Sequence, residues 1–388
     1  GDGSFVWGDS RETFATIEGS ASFNFSFGSN GTDIGQFDGG IHIAIDSNGN
    51  IYVADIDNNR IQVFTSSGSY SYSIGTDNQG FDQGEFCNPD YIELDTNNNI
   101  YVTENCGHRV QVFTSSGEYS YSIGSFGSDP GQFNKPAGIV IDNNGNIFVA
   151  DSMNHRIQVF TASGEYSYSI GTGSSGSDPG QFSQPKGLAL DSKGNLYVTD
   201  LFNHRIQVFT ASGNYSYSFG GEGTEPGQFS YPYGICVDSN DLIYTAETGN
   251  DRIQVFSASG SFEYSISVNR PMGVKVYNDK IYVASDGDSQ IQVYNKPLST
   301  HTVESGNIGI GTSSPTEKLE VDGNVKITNN LILANSSNSV SQTILKAMTQ
   351  SEARTITLPD ASGIVLVTDD GSITVPDGTI TASKLANN

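Results

Sequence analysis

The chain is poor in basic residues, in long apolar runs and in cysteine. It has 388 residues, and 18 Lys+Arg against 43 Asp+Glu give it a formal net charge of −25. This balance argues against binding to nucleic-acid backbones, which requires a basic surface, and against attraction to anionic membranes. No apolar run approaches the roughly 20 residues of a membrane-spanning helix, so we predict no membrane insertion. Three cysteines, an odd number, exclude a complete internal disulfide framework.

Helical periodicity is also absent between residues 35 and 294, where turn-forming and strand-forming residues repeat instead. A Gly-Gln/Glu-Phe triplet recurs five times, at intervals of 49, 47, 49 and 47 residues. A second motif, Arg-Ile/Val-Gln-Val-Phe, follows each triplet. The triplets begin at Gly35, Gly84, Gly131, Gly180 and Gly227, and the second motifs at Arg60, Arg109, Arg156, Arg205 and Arg252.

Each repeat contains four short runs that alternate with a period of two, which predicts four strands joined by hairpins. In the third repeat these runs cover residues 138–142, 146–151, 156–161 and 165–170. A sixth, degenerate copy at 273–296 has only three runs, whereas residues 22–28 match the missing fourth run. We therefore predict an all-β, six-bladed propeller over residues 20–297, whose N-terminal strand completes the last blade and pairs both open edges.

The repeated phrases resemble those of the NHL-repeat family of six-bladed propellers. The resemblance lies in Gln-Phe, Pro-x-Gly-Ile/Leu, Asp-x-x-Gly-Asn, Tyr-Val-Ala/Thr-Asp and Asn-His-Arg-Ile-Gln-Val-Phe, and residues 133–160 and 182–209 carry nearly all of it. The sixth copy departs most, since Gln290 stands where the other copies have arginine.

The C-terminal part has no aromatic residue after Tyr294 and no cysteine, and it consists of short alternating runs. A single chain of this composition buries little apolar surface. Its phrases at 307–325, 354–363 and 377–385 resemble the shaft segments of trimeric phage tail fibres, and residues 4–9 resemble fibre-stalk repeats. The resemblance implies a homotrimeric, intertwined β-rich tail at 298–388 and a shaft-like segment at 1–19.

Candidate binding residues follow the repeats at the mouth of the central channel. The fourth residue after each blade phenylalanine varies in size and charge while its surroundings keep their register, as expected of a loop position that is available for recognition or that drifts without a role. The next residue is glycine in four blades but not in the first two. The predicted ligand-binding residues are Ile41, Asp90, Lys186, Tyr233 and Met272 at the first position, and His42 and Tyr91 at the second.

Other repeated polar residues are interpreted as structural. An acidic residue and an arginine five positions later recur in five blades and disappear together in the sixth, as an ion pair would. His108, His155 and His204 follow the repeat, and one axial imidazole is too few for a zinc site. The Asp-x-x-Gly-Asn turns have one carboxylate each, which is ordinary for hairpins and poor for calcium. We predict neither a metal nor a cofactor.

Cys87 and Cys106 fall at the same end of the second blade, where the connectivity permits either a disulfide or two free thiols. Cys236 lies within a strand and is expected to be buried.

These features lead to the prediction of a non-enzymatic extracellular or virion-surface protein. A shaft gives reach and three copies give avidity, so the propeller would bind a host cell-surface glycan or protein. The protein would then be a phage tail-fibre type, or alternatively a bacterial surface adhesin or filament subunit. A metal-dependent propeller hydrolase or lyase is the alternative from another class, although no linear catalytic motif is present.

Overall fold

The computed structural model describes residues 21–297 and, beyond them, the backbone of seven short strands. The predicted shaft-like segment at 1–19 lies outside the described residues, and so does most of the predicted trimeric tail at 298–388. Within the described part, no helix is long and apolar enough to cross a membrane.

Residues 22–295 form a ring of six four-stranded antiparallel sheets, which confirms the predicted all-β six-bladed propeller. The N-terminal strand is β1 (Ser22–Phe27). Blade one contains β2 (Ile41–Ile45), β3 (Ile51–Asp55), β4 (Arg60–Phe64) and β5 (Tyr70–Gly75). Blade two contains β6 (Pro89–Leu94), β7 (Ile100–Glu104), β8 (Arg109–Phe113) and β9 (Tyr119–Ile123). Blade three contains β10 (Pro136–Ile141), β11 (Ile147–Asp151), β12 (Arg156–Phe160) and β13 (Tyr166–Ile170).

The remaining blades repeat this order. Blade four contains β14 (Pro185–Leu190), β15 (Leu196–Asp200), β16 (Arg205–Phe209) and β17 (Tyr215–Gly220). Blade five contains β18 (Pro232–Val237), β19 (Ile243–Glu247), β20 (Arg252–Phe256) and β21 (Phe262–Ser267). Blade six contains β22 (Pro271–Tyr277), β23 (Lys280–Ser285) and β24 (Gln290–Asn295). Beyond the ring lie β25 (Thr302–Glu304), β26 (Asn307–Ile310), β27 (Leu319–Val321), β28 (Ile344–Thr349), β29 (Glu352–Thr357), β30 (Leu366–Val367) and β31 (Ile373–Thr374).

The ring is closed by its N-terminal strand, as the repeat pattern predicted. Strand β1 pairs antiparallel with β24, so the sheet order of blade six is β1-β24-β23-β22. The innermost strands β2, β6, β10, β14, β18 and β22 lie side by side around the axis. The predicted strand bounds are close to the observed ones. In blade three the largest difference is at the start of the first strand, which was predicted at residue 138 and observed at Pro136. Pro136 pairs with Asp151 ahead of a bulge, so the strand β10 extends back to it.

The hydrophobic core lies between neighbouring blades. The phenylalanine of each Gly-Gln/Glu-Phe triplet is fully buried and packs against the phenylalanine that ends the third strand, as Phe133 does against Phe160 at 5.5 Å between ring centroids. Burying one such side chain contributes about 1.5–3 kcal/mol. The repeated triplet is therefore a packing element that joins the loop before each blade to the blade itself.

In blades one to five, a buried carboxylate at the end of the second strand binds the arginine that begins the third strand, as the repeated spacing predicted. In blade three the carboxylate of Asp151 accepts hydrogen bonds from Arg156 Nε (2.8 Å), Gln158 Nε2 (3.1 Å) and Asn154 Nδ2 (2.9 Å). The backbone N–H of Asn134 donates to the same carboxylate at 2.8 Å. The equivalent ion pairs are Asp55–Arg60, Glu104–Arg109, Asp200–Arg205 and Glu247–Arg252.

Blade six keeps a carboxylate but places it elsewhere. Ser285 and Gln290 stand where the other blades have the acid and the arginine, and Asp288 occupies the position of Asn154. Its Oδ2 accepts from Ser285 Oγ at 3.1 Å and from Gln292 Nε2 at 2.8 Å. The network is thus reorganised around Asp288 rather than lost.

Candidate ligand sites in the central channel

The innermost strands approach one another closely at the axis, and this limits the size of the side chains at the second variable position of each blade. We call the end where these strands begin the upper end of the channel, and the opposite end the lower end. A Cβ atom on Gly138 would overlap the carbonyl oxygen of Lys186, and one on Gly234 would overlap that of Met272. Glycine at this position therefore allows the neighbouring backbones to approach.

The first two blades carry rings at this position instead. The ring centroids of His42 and Tyr91 are 3.7 Å apart, and those of His42 and Tyr233 are 5.5 Å apart. Tyr91 reaches across the channel from blade two to blade five, where its hydroxyl donates to the carbonyl oxygen of Tyr233 at 3.3 Å. The upper end of the channel is consequently filled by stacked rings.

Two charged side chains complete this group. Asp90 and Lys186 are only 2% and 8% exposed, and Lys186 Nζ lies 5.1 Å from the centre of the Tyr233 ring. Nε2 of His42 and Oδ1 of Asp90 are 3.8 Å apart, and neither buried atom has a hydrogen-bond partner within the described ring. We define the axial cluster as His42, Asp90, Tyr91, Lys186 and Tyr233.

The electrostatics of the axial cluster follow from its burial. Burial, together with the smaller effects of the positive charges of Lys186 and Lys275, lowers the pKa of His42 to about 3. Burial raises the pKa of the Asp90 carboxyl, while Lys186 and the hydrogen bond from Asn105 oppose that shift. His42 is therefore a neutral imidazole at ordinary pH, and its Nε2 can take part in a hydrogen bond with a ligand.

The sequence-predicted binding residues thus meet at the upper end, with two qualifications. Met272 is half-buried there, beside Gly40. Ile41 begins β2, but its side chain lies outside the described part of the structure. Whether these residues bind a ligand stays a prediction.

Sequence reasoning missed a second group at the lower end of the channel. Lys275 on β22 donates to Glu93 Oε2 on β6 at 2.5 Å, an ion pair that joins residues 182 positions apart. A cavity of ≈380 Å³, which we call the lower cavity, opens beside this pair. The available signal was a charge at the fourth position after the blade proline, where other innermost strands have small or apolar residues, namely Ala44, Val140, Ala189 and Cys236.

The repeated histidines join neighbouring blades, in agreement with a structural interpretation. His108, His155 and His204 adopt left-handed backbone conformations at φ 51°, 52° and 51°. The Nδ1 atom of each accepts the backbone N–H of a residue before the next blade, at 3.1 Å from Lys135 for His108. Asn59 accepts the same kind of bond from Asn88 in blade one, so the role does not need histidine.

The Asp-x-x-Gly-Asn turns use their carboxylates internally. Asp142 Oδ1 accepts the backbone N–H groups of Asn144 and Asn146 at 2.9 Å and 2.7 Å, and its Oδ2 accepts from the side chain of Asn146. Among the residues that the structure describes, no three His, Cys, Asp or Glu side chains are grouped to hold a metal ion.

The cysteines divide into a pair and a single thiol. The sulfurs of Cys87 and Cys106 are joined as a disulfide, with their Cα atoms 5.4 Å apart, which is within the usual range. Cys236 is buried, as expected, and burial raises the pKa of its thiol to about 12.

With this geometry established, comparison identifies the repeats. Five segments match the NHL repeat, at residues 42–64, 86–113, 133–160, 182–209 and 229–256. The ring is therefore a six-bladed β-propeller that carries NHL repeats. No curated protein sequence matches the chain.

Solved structures show the same fold at low sequence identity. A gluconolactonase from Xanthomonas campestris is 12% identical, with a TM-score of 0.54, over 72% of this chain and 98% of its own. A putative gluconolactonase is 15% identical, with a TM-score of 0.53, over 71% and 93%. A streptogramin B lyase is 20% identical, with a TM-score of 0.50, over 70% and 87%.

These neighbours overturn one prediction. The prediction that the protein is not an enzyme is wrong, because solved structures with the same propeller fold are named as a lyase and as gluconolactonases. The prediction rested on the combination of a ring with fibre-like phrases, which says nothing about catalytic groups inside the ring. Catalytic groups of a ring come from separate blades, and the sequence does not place them side by side.

Proposed function

We propose that the ring is a recognition module that binds a cell-surface saccharide at the axial cluster. One observation carries this proposal: His42 Nε2 and Asp90 Oδ1 are buried beside each other without hydrogen-bond partners in the described ring. A buried polar atom without a partner costs about 1–3 kcal/mol. Most buried polar atoms of a native protein have a partner, so two adjacent ones without any require an explanation. A ligand that supplies both partners is the explanation that we propose.

The chemistry of the axial cluster suits a sugar. Saccharides present hydroxyl groups that both donate and accept hydrogen bonds, and their C–H faces stack on aromatic rings. Asp90 and His42 provide polar atoms, Lys186 provides an ammonium, and the half-buried ring of Tyr233 provides a face near solvent. Sites of this kind combine apolar walls with a few fixed polar groups.

Access requires movement of side chains rather than of the ring. Tyr233 and Met272 are half-buried and lie at the upper end, whereas His42 and Asp90 are almost fully buried. Displacement of the Tyr233 and Met272 side chains by a ligand would open a route to His42 Nε2 and Asp90 Oδ1. The innermost strands themselves are fixed by their backbone contacts.

Lysine 186 provides the test. Lys186→Met keeps the aliphatic stem but removes the ammonium, so saccharide affinity should fall about tenfold or more, which corresponds to about 1.4 kcal/mol. A glycan array identifies the ligand, and isothermal titration with the full chain measures the affinity. Lys193→Met is the matched control, because this lysine is exposed on a lower-end turn and should leave affinity unchanged.

Equal affinity of Lys186→Met and the parent chain would refute the axial site. Binding to cells that survives removal of glycans but not treatment with protease would instead assign a protein ligand.

The same two atoms favour a second candidate, acid–base catalysis on the bound ligand. The raised pKa of Asp90 is the property of a general acid, and neutral His42 lies beside it. After the isothermal titration, the mixture of protein and saccharide can be examined by NMR for reaction products. Turnover that disappears in Asp90→Asn, with binding retained, would establish this function; unchanged ligand in all mixtures would exclude it for that ligand.

We further propose that the ring is displayed outside the cell or on a virion, by a tail through which three chains associate. The support is the set of fibre-like phrases and the aromatic-free composition after Tyr294. We expect a particle mass of three chains in analytical ultracentrifugation and three rings around one stalk in negative-stain images. A monomeric mass would contradict the trimer. Capsid or baseplate genes next to the coding sequence would favour a phage tail-fibre type over a bacterial adhesin or filament subunit.

A further inference from the structure

The lower cavity has the size and openness of a ligand site. Its volume of ≈380 Å³ falls in the range of about 300–1,000 Å³ that is usual for small-molecule pockets. The turn residues Asn143 and Ser192 line it and are exposed, so the cavity reaches the lower surface of the ring. Its aliphatic wall is formed by Ile45, Ile141, Leu190 and Val237.

The ion pair between Lys275 and Glu93 also lines the cavity. The two side chains are 26% and 17% exposed, so both charges are accessible from the cavity. An ammonium has three N–H donors, and within the described ring Lys275 Nζ donates only to Glu93. Two donors thus remain for a ligand.

Lys275 is charged despite its position. Burial by itself lowers the pKa of Lys275, but the carboxylate of Glu93 more than offsets this effect, so the pKa is raised. Glu93 Oε2 faces the ammonium, while Oε1 accepts, among the groups of residues 21–297, only the backbone N–H of Leu94 at 3.2 Å. A ligand that approaches this pair therefore meets a positive and a negative group side by side.

We propose that the lower cavity binds a small zwitterion with an apolar side chain, that is, an apolar α-amino acid. The ligand carboxylate would accept from the two remaining donors of Lys275. The ligand ammonium would lie against Glu93, towards the carboxylates of Asp142 and Asp191 that line the same cavity. The side chain would pack on the aliphatic wall.

This charge arrangement discriminates between ligand classes. A simple anion would be attracted by Lys275 but repelled by Glu93, Asp142 and Asp191. A simple cation would leave the donors of Lys275 without an acceptor. A zwitterion places its carboxylate next to Lys275 and its ammonium next to Glu93, so that each charge of the ion pair gains a second opposite charge. Four charges in this alternating arrangement attract one another more than the original two. This site is separate from the axial cluster, so it does not depend on the proposed saccharide binding.

Isothermal titration of the full chain with L-leucine, L-leucinamide and N-acetyl-L-leucine tests the proposal. We expect leucine to bind, and each blocked form, which lacks one of the two charges, to bind at least tenfold more weakly. In the double variant Glu93→Gln/Lys275→Met, which removes both charges together, leucine binding should be lost. Lys186→Met should bind leucine as the parent does.

Several outcomes would overturn the zwitterion site. They are the absence of leucine binding, equal binding of the blocked forms, and binding that survives in the double variant. If the double variant does not fold, Leu190→Trp decides, because an indole at this half-buried wall position occupies space in the cavity while Glu93 and Lys275 both keep their charges. Unchanged leucine binding in Leu190→Trp would place the ligand elsewhere and refute the proposal.

Discussion

Asp151→Ala should destabilise the ring by about 3–5 kcal/mol, the usual cost of leaving one partner of a buried ion pair without the other. The carboxylate of Asp151 is fully buried and accepts hydrogen bonds from four donor groups. Its removal leaves Arg156 Nε without an acceptor and takes one of two acceptors from Gln158 Nε2, which still donates to the carbonyl oxygen of Gln132. Chemical denaturation of parent and variant, followed by circular dichroism, measures the difference in free energy of unfolding.

Blade six supplies the matched control for this loss. The triple variant Asp151→Ser/Asn154→Asp/Arg156→Gln rebuilds in blade three the arrangement of Ser285, Asp288 and Gln290. Its carboxylate would again accept from the serine and from Gln158, as Asp288 does from Ser285 and Gln292. We expect most of the lost stability to return. A triple variant as unstable as Asp151→Ala would show that the two networks are not interchangeable.

Deletion of residues 22–27 should abolish the cooperative unfolding of the ring. This strand covers the outer edge of β24, and its side chains also pack on the neighbouring blade, where the centroids of the Phe27 and Phe64 rings are 4.9 Å apart. Without it, blade six loses its fourth strand and the contact between blades six and one is weakened. Thermal unfolding followed by circular dichroism distinguishes a sharp transition from a broad one.

Exchange of the strand controls for the change in sequence. Phe23→Tyr, Asn24→Ser, Phe25→Tyr and Phe27→Ile together turn β1 into a copy of β13 from Tyr166 to Ile170. This variant keeps the backbone pairing and should unfold cooperatively. A deletion variant with the parent's sharp transition and midpoint would contradict closure by β1.

The repeat pattern predicted the ring because each blade is local in sequence. Strand bounds and the pairs of an acid with an arginine follow from spacings of fewer than fifty residues, and the five ion pairs join residues five positions apart. Closure joins distant residues, but it was predicted because residues 22–28 match the run that the sixth copy lacks. The same locality misled the interpretation of blade six. The loss of both partners was visible in the sequence, but the replacement by Asp288 was not, because an aspartate in a turn is unremarkable by itself.

Of the two groups of side chains in the channel, only the one at the upper end was predicted from the sequence. Variable positions next to the blade proline indicated the axial cluster, although their spacing could not show that the rings of Tyr91 and His42 stack. The ion pair between Glu93 and Lys275 was missed because its partners belong to blades two and six. Such contacts depend on ring closure and on the distance across the axis, which no pattern within one repeat records.

The pairing of β1 with β24 also determines how the ring responds to force. Because the strands are antiparallel, Ser22 lies opposite Asn295, so the chain enters and leaves the ring at one point. Tension between the two flanking segments would therefore pull this pair apart like a zipper, one hydrogen bond after another, rather than shear all of its bonds at once. In mechanical terms, this seam is the position at which a stretched chain would first open the propeller.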